Sequence, residues 1–123
     1  MTIAGFASDL TSERRRWLVE DAIAYVERTQ EYRVTVAELC DVLDVGRRTL
    51  EYAFRDVLGA SPKAYFVSRA LEAAHHTLRA ATPADRTVTD VATEFGFWHL
   101  GRFSATYRSV FGEAPSQTLR ATA

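Results

Sequence analysis

The chain has 123 residues, 47% of them hydrophobic and 25% charged, with a formal net charge of −1. This is apolar enough for a packed core, which excludes global disorder, and short enough for one domain or two very small lobes. No apolar run approaches the ~18 residues of a membrane span, MTIAGFASDL lacks the regions of a secretion signal, and the lone Cys40 permits no internal disulfide or Cys-rich zinc site.

Residues 1–11 show no apolar period and are expected to be a tail or linker. A first helix is expected to begin at Thr11 or Ser12, either of which can cap it, and to run to about Gln30. Leu18, Ala22, Tyr25 and Val26 give it one apolar stripe. Thr35 is placed to cap a short helix, Val36 to Leu43, with Glu38 completing a capping box. A longer helix follows from Arg47 to Leu58, with Leu50, Phe54, Val57 and Leu58 on its apolar face, and Gly59 stops it. Ser61 and Pro62 open the next helix, which reaches about Ala80. At 1.5 Å per residue it spans ~28 Å, somewhat under the ~34 Å between successive major grooves on one face of B-DNA. After the loop ATPADRT (81–87) come helices at Val88–Phe95 and His99–Phe111, and a last short helix beyond Gly112 that buries Leu119. The fold class expected is all-α, with about seven helices.

Two stretches of this chain say nearly the same thing. Residues 36–62 and 88–115 overlay with a single extra residue in the second copy. Val36, Leu39, Leu43 and Val45 then meet Val88, Val91, Phe95 and Phe97, while Leu50, Phe54 and Arg55 meet Phe103, Tyr107 and Arg108. Val57, Gly59 and Pro62 meet Val110, Gly112 and Pro115. Asp44 and Gly96 fall just after each short helix, where a tight turn needs a residue tolerant of a left-handed backbone. Cys40 and Ala92 share a site where helices approach closely, which makes Cys40 a small packed spacer rather than a reactive thiol. The repeated unit is a helix-turn-helix, and two copies suggest a reader of two adjacent DNA grooves. Lobes at 12–60 and 81–123 would be joined by a connecting helix at 61–80. Leu39, Leu50, Phe54, Val91, Phe95, Phe103, Tyr107 and Phe111 are expected to be buried.

A net charge of −1 is awkward for a nucleic-acid binder, but the charges are segregated. Residues 1–45 carry nine acids against five bases, and 46–80 carry six bases against three acids. Residues 81–95 return to three acids against one base, and 96–123 carry three bases against one acid. Positive charge therefore collects in the second half of each repeat and the connector, as phosphate contact requires, although solvated helix faces of mixed sign would give a similar count.

The tandem repeat, the S-P-x-x-Y opening of the connecting helix with Arg69 and Leu78 downstream, the GF at 96–97 and the closing F-G-x-x-P resemble the DNA-binding domain of AraC/XylS-type transcriptional regulators. The resemblance covers residues 12–121, and GFWHLGRF is most similar to ethanolamine-operon regulators. It implies sequence-specific binding of double-stranded DNA, with the second helix of each motif in a major groove. Base-reading positions carried over are Arg48, Glu51 and Tyr52 in the first motif and Gly101, Arg102 and Ala105 in the second. Of the second set only Arg102, with His99, has reach, since Gly101 and Ala105 are bare. The first trio makes chemical sense by itself: Arg grips guanine O6 and N7, Glu accepts from cytosine N4, and Tyr touches a thymine methyl or a phosphate. Arg47, Arg55 and Arg108 are the phosphate candidates. Trp98 is expected to pack at the helix start rather than stand beside the DNA backbone. The resemblance further implies a cytoplasmic, nucleoid-associated bacterial activator that contacts RNA polymerase, this chain being the C-terminal output domain of a larger regulator whose effector-binding domain lies elsewhere.

Catalysis is not expected. His75 and His76 are sequential, so they leave the helix on different faces and cannot share a metal as an i, i+4 pair would. No Gly-rich phosphate loop, nucleophile–base arrangement or paired inward carboxylates are present, and no cofactor or metal is expected. The competing class is a helical protein–protein interaction module that has lost DNA affinity, which the bare Gly101 and Ala105 leave open.

Overall fold

The computed structural model describes the backbone of residues 2–29 and 34–121, with side chains from Ser12 onward. The described residues form seven helices: α1 Thr2–Thr29, α2 Val36–Leu43, α3 Arg47–Leu58, α4 Pro62–Ala80, α5 Val88–Glu94, α6 Leu100–Phe111 and α7 Pro115–Arg120. No strand occurs among the described residues, and none of their helices is long and apolar enough to cross a membrane. The chain divides into two compact units, Met1–Phe66 and Val67–Ala123, with the division inside α4.

The largest departure from the expected boundaries is at the N-terminus, while α5 ends and α6 begins one residue off expectation, at Glu94 and Leu100. Residues 2–11, read as a tail, are the opening turns of α1. A helix needs no apolar stripe to extend, and no proline interrupts 2–29, so the cap candidates Thr11 and Ser12 stay in its interior. Gln30 lies outside the described residues.

In the first unit α1 lies against α3 and α2. Leu18, Val19, Ala22 and Val26 of α1 meet Leu39 and Leu43 of α2 and Leu50, Ala53 and Phe54 of α3 in one buried cluster. Phe54 is fully enclosed, with Tyr65 and Phe66 from the first turn of α4 at ring-centroid distances of 5.9 and 5.7 Å. The apolar face of α3 ends sooner than its sequence suggests, because Val57 and Leu58 are exposed. A polar contact joins that last turn to α1 instead, Arg15 Nη1 to Asp56 Oδ2 at 3.5 Å. Cys40 is half-buried against this core, and burial pushes its thiol pKa up, away from thiolate chemistry.

Helix starts in this unit are capped partly as expected. The Thr35 hydroxyl accepts from the Glu38 backbone N–H at 3.1 Å, but the Glu38 carboxylate does not turn back. It accepts from the Tyr25 hydroxyl at 2.7 Å and ties α2 to α1. The reciprocal box forms in the second repeat, between Thr87 and Asp90, where those hydrogen bonds hold the Asp90 carboxyl below its usual range.

The second unit has an aromatic core. Phe97, Phe103, Tyr107 and Phe111 form a row with successive centroid distances of 4.8, 5.7 and 4.6 Å. His75 of α4 stacks flat on Phe111 at 4.1 Å, yet Phe111, expected to be buried, is only half-buried. Val91, Phe95, Phe103, Tyr107 and Leu119 are buried as the repeat requires. A polar chain runs through this core. The Thr118 hydroxyl donates to the Glu113 carboxylate, Tyr107 donates to Thr118 Oγ1 at 2.8 Å, and His75 Nδ1 lies 2.8 Å from the Tyr107 oxygen. With the phenol proton committed to Thr118, Nδ1 must carry the hydrogen and donate. Burial lowers the His75 pKa and raises that of Tyr107.

Candidate nucleic-acid interface

Each motif turns sharply between its helices on a left-handed residue, Asp44 (φ 55°) in the first and Gly96 (φ 89°) in the second. The next residue anchors the turn: Val45 packs on the first core, and the Phe97 ring sits on Phe103. The longer helix then begins after an extended N-cap, Gly46 for α3 and His99 for α6. Neither cap makes a side-chain hydrogen bond, and neither first turn holds an acidic residue, so the opening N–H groups face no competing carboxylate in that turn.

On α3, the buried Leu50, Ala53 and Phe54 define the inner face. Arg48, Tyr52 and Arg55 lie on the opposite one, at i, i+4 and i+7, all exposed, with Glu51 half-buried beside them. The Arg48 guanidinium stands over the Tyr52 ring, 5.8 Å from its centroid, so the two present one surface. Arg47 is exposed at the first position of the helix.

On α6 the same helical positions are nearly empty. Counting from each N-cap, Gly101 corresponds to Arg48 and Ala105 to Tyr52, both exposed, and a Cβ added at Gly101 would meet nothing within 4 Å. Arg102 is exposed but corresponds to Thr49, one step round the helix from the Arg48 position. His99 is exposed at the N-cap, and Arg108 is exposed in the last turn, matching Arg55. Trp98, expected to pack at the helix start, is 67% exposed. Phe97 packs on Phe103 from non-helical backbone, while Trp98 beside it is exposed. Among the described residues no group of three His, Cys, Asp or Glu side chains could hold a metal ion.

Residues 39–121 match the family described as a helix-turn-helix domain. The chain is 35% identical over 101 residues to the XylDLEGF operon transcriptional activator of Pseudomonas putida, covering 82% of this chain and 32% of that one. It is 34% identical over 103 residues to a probable thc operon regulatory protein of Rhodococcus erythropolis, covering 84% and 31%. It thus spans about a third of the length of these curated relatives. Among solved structures, a probable AraC family transcriptional regulator from Rhodopseudomonas palustris superposes with a TM-score of 0.75 at 35% identity, over 85% of this chain and 96% of that one. The DNA-binding domain of AdpA, solved in complex with a target DNA, superposes with a TM-score of 0.68 at 25% identity, over 81% and 86%. The chain belongs to the AraC/XylS-type helix-turn-helix family of DNA-binding transcriptional regulators.

Proposed function

We propose that this chain reads double-stranded DNA through two major-groove contacts of unequal chemistry, one from α3 and one from α6. The observation that carries the reading is the exposed Arg48–Tyr52–Arg55 face of α3, set opposite a fully buried apolar face. Arg48, Glu51 and Tyr52 read base edges in the first motif, and Arg102 and His99 do so in the second. Arg47, Arg55 and Arg108 meet phosphates, together with backbone N–H groups at the helix starts. The relatives' names support an operon-regulating role, and the fuller form of the proposal is a cytoplasmic, nucleoid-associated output part of a larger regulator that contacts RNA polymerase.

Two measurements test this. If ~5 phosphates are neutralised, log K against log salt falls with a slope near −4 to −5 despite the net charge of −1. A flat response would favour the protein-interaction class, in which the bare α6 face accepts another helix. Arg48→Ala weakens binding to a selected duplex by about 1–3 kcal/mol, and Arg102→Ala does the same at a different base pair.

A further inference from the structure

The second repeat is longer than the first by one residue, and the structure identifies it. Val45 is followed directly by the N-cap Gly46, whereas Phe97 and the N-cap His99 are separated by Trp98. Everything after the N-caps stays in register, Leu50 with Phe103 and Phe54 with Tyr107. The insertion is thus a single tryptophan, 67% exposed, at the mouth of the helix whose outward positions 101 and 105 hold only Gly and Ala.

We propose that Trp98 is a DNA-contacting residue of the second motif, laying its indole against deoxyribose and thymine-methyl surface beside the groove that α6 enters. This rests on the DNA-binding reading above and adds a residue and a contact chemistry to it. A solitary exposed apolar side chain is ordinary and would mean nothing by itself. Three observations make this one informative. The backbone it stands on is anchored, because the Phe97 ring is held on Phe103 and Phe97 N–H donates to Ala92 O at 2.8 Å. Its neighbourhood is open, with Gly101 and Ala105 exposed and space beyond Gly101. Its near neighbours His99 and Arg102 supply polar and cationic groups, and Leu100, 41% exposed, extends the apolar surface. In the first motif affinity comes from a guanidinium and a phenol projecting from the helix; in the second, apolar contact from the inserted residue takes that place. Such contact displaces water without releasing counterions, so it strengthens binding without steepening the salt dependence.

The chain has two tryptophans, Trp17 and Trp98. In a Trp17→Phe background Trp98 is the only one, and its emission reports its surroundings directly. Addition of a duplex recovered by random-site selection is expected to quench or shift that emission and to protect it from acrylamide. Trp98→Ala is expected to weaken binding on the order of ten-fold, with Trp98→Phe intermediate, an unchanged salt slope and an unchanged unfolding midpoint. Replacing thymines by uracils in the second half of the site should weaken the wild type more than Trp98→Ala. If a mobility shift shows binding while Trp98 emission and quencher access stay unchanged, the indole is not at the interface, yet the DNA-binding reading stands. If no duplex shifts at low salt, that reading falls and this proposal with it.

Discussion

The two units solve one folding problem with different materials. In the first, an aliphatic cluster surrounds a single enclosed phenylalanine, the outward face of α3 is charged and aromatic, and a carboxylate meant for a helix start binds a tyrosine on α1. In the second, a row of four aromatic rings and a buried polar chain hold the helices, the helix start is fully boxed, and the outward face of α6 is bare at Gly101 and Ala105. The common frame is geometric: a left-handed turn residue, an anchoring apolar residue and a long helix whose inner face is fixed by two matching side chains. What varies is what that frame presents outward. A repeat can therefore conserve shape while assigning its copies unequal shares of recognition.

The largest test of the frame is at its matched core positions. Phe54→Ala and Phe103→Ala should each cost about 3–5 kcal/mol in urea unfolding. A loss under about 1 kcal/mol at either would show that the two sites are not equivalent supports. Next comes the turn. Gly96→Ala should cost about 1–2 kcal/mol, since an L side chain is strained at that φ. Asp44→Gly should gain less than about 1 kcal/mol, because relief at φ 55° is offset by the greater freedom of glycine in the unfolded chain.

Restoring a long cation to the bare helix sharpens the comparison of the two faces. Ala105→Arg should tighten DNA binding with little regard to sequence and steepen the salt slope by roughly one unit. Unchanged affinity would mean that α6 does not approach DNA closely at that position.

The smallest effect concerns the polar chain of the second unit. Burial, with Arg79 and His76 nearby, holds the His75 pKa below 6.5, and Glu113 opposes them only in part. The unfolded chain therefore takes up a proton first, so stability from this site is present above pH ~6.5 and is lost as the pH falls below it. Thermal melts across that range should show a decline that His75→Phe, which keeps a ring on Phe111, removes from this window. An identical decline in the variant would assign the effect to other groups.

Much of this was legible because the repeat carries its own internal check. Caps, breaks and apolar spacing make the helices and the Ser61 cap, whose Oγ accepts from Ala64 N–H at 3.1 Å, legible, and the overlay of residues 36–62 on 88–115 adds the Asp44/Gly96 turns and all but one of the expected core positions. The exceptions share a cause: each depends on a partner distant in sequence. Phe111 takes what cover it has on one face from His75, Glu38 leaves its cap for Tyr25, and the last turn of α3 is held by Arg15. Residues 2–11 belong to α1 although they carry no apolar period, the signal by which a helix is recognised in sequence. On the interface, the sequence named the exposed arginines, but the register of Arg102 and the direction of Trp98 depend on where α6 starts, one residue later than its composition suggests.

The central claim is that α3 and α6 read DNA unequally, with Arg48 the main source of base preference. Random-site selection with the wild type and with Arg48→Ala, both pools sequenced, tests it most directly. The wild type should recover a site with one half richer in sequence preference than the other. Arg48→Ala should flatten one base pair within the richer half and leave the poorer half unchanged. If both proteins recover the same site with the same preference at every position, α3 is not the reader, and the assignment of recognition to its outward face is wrong.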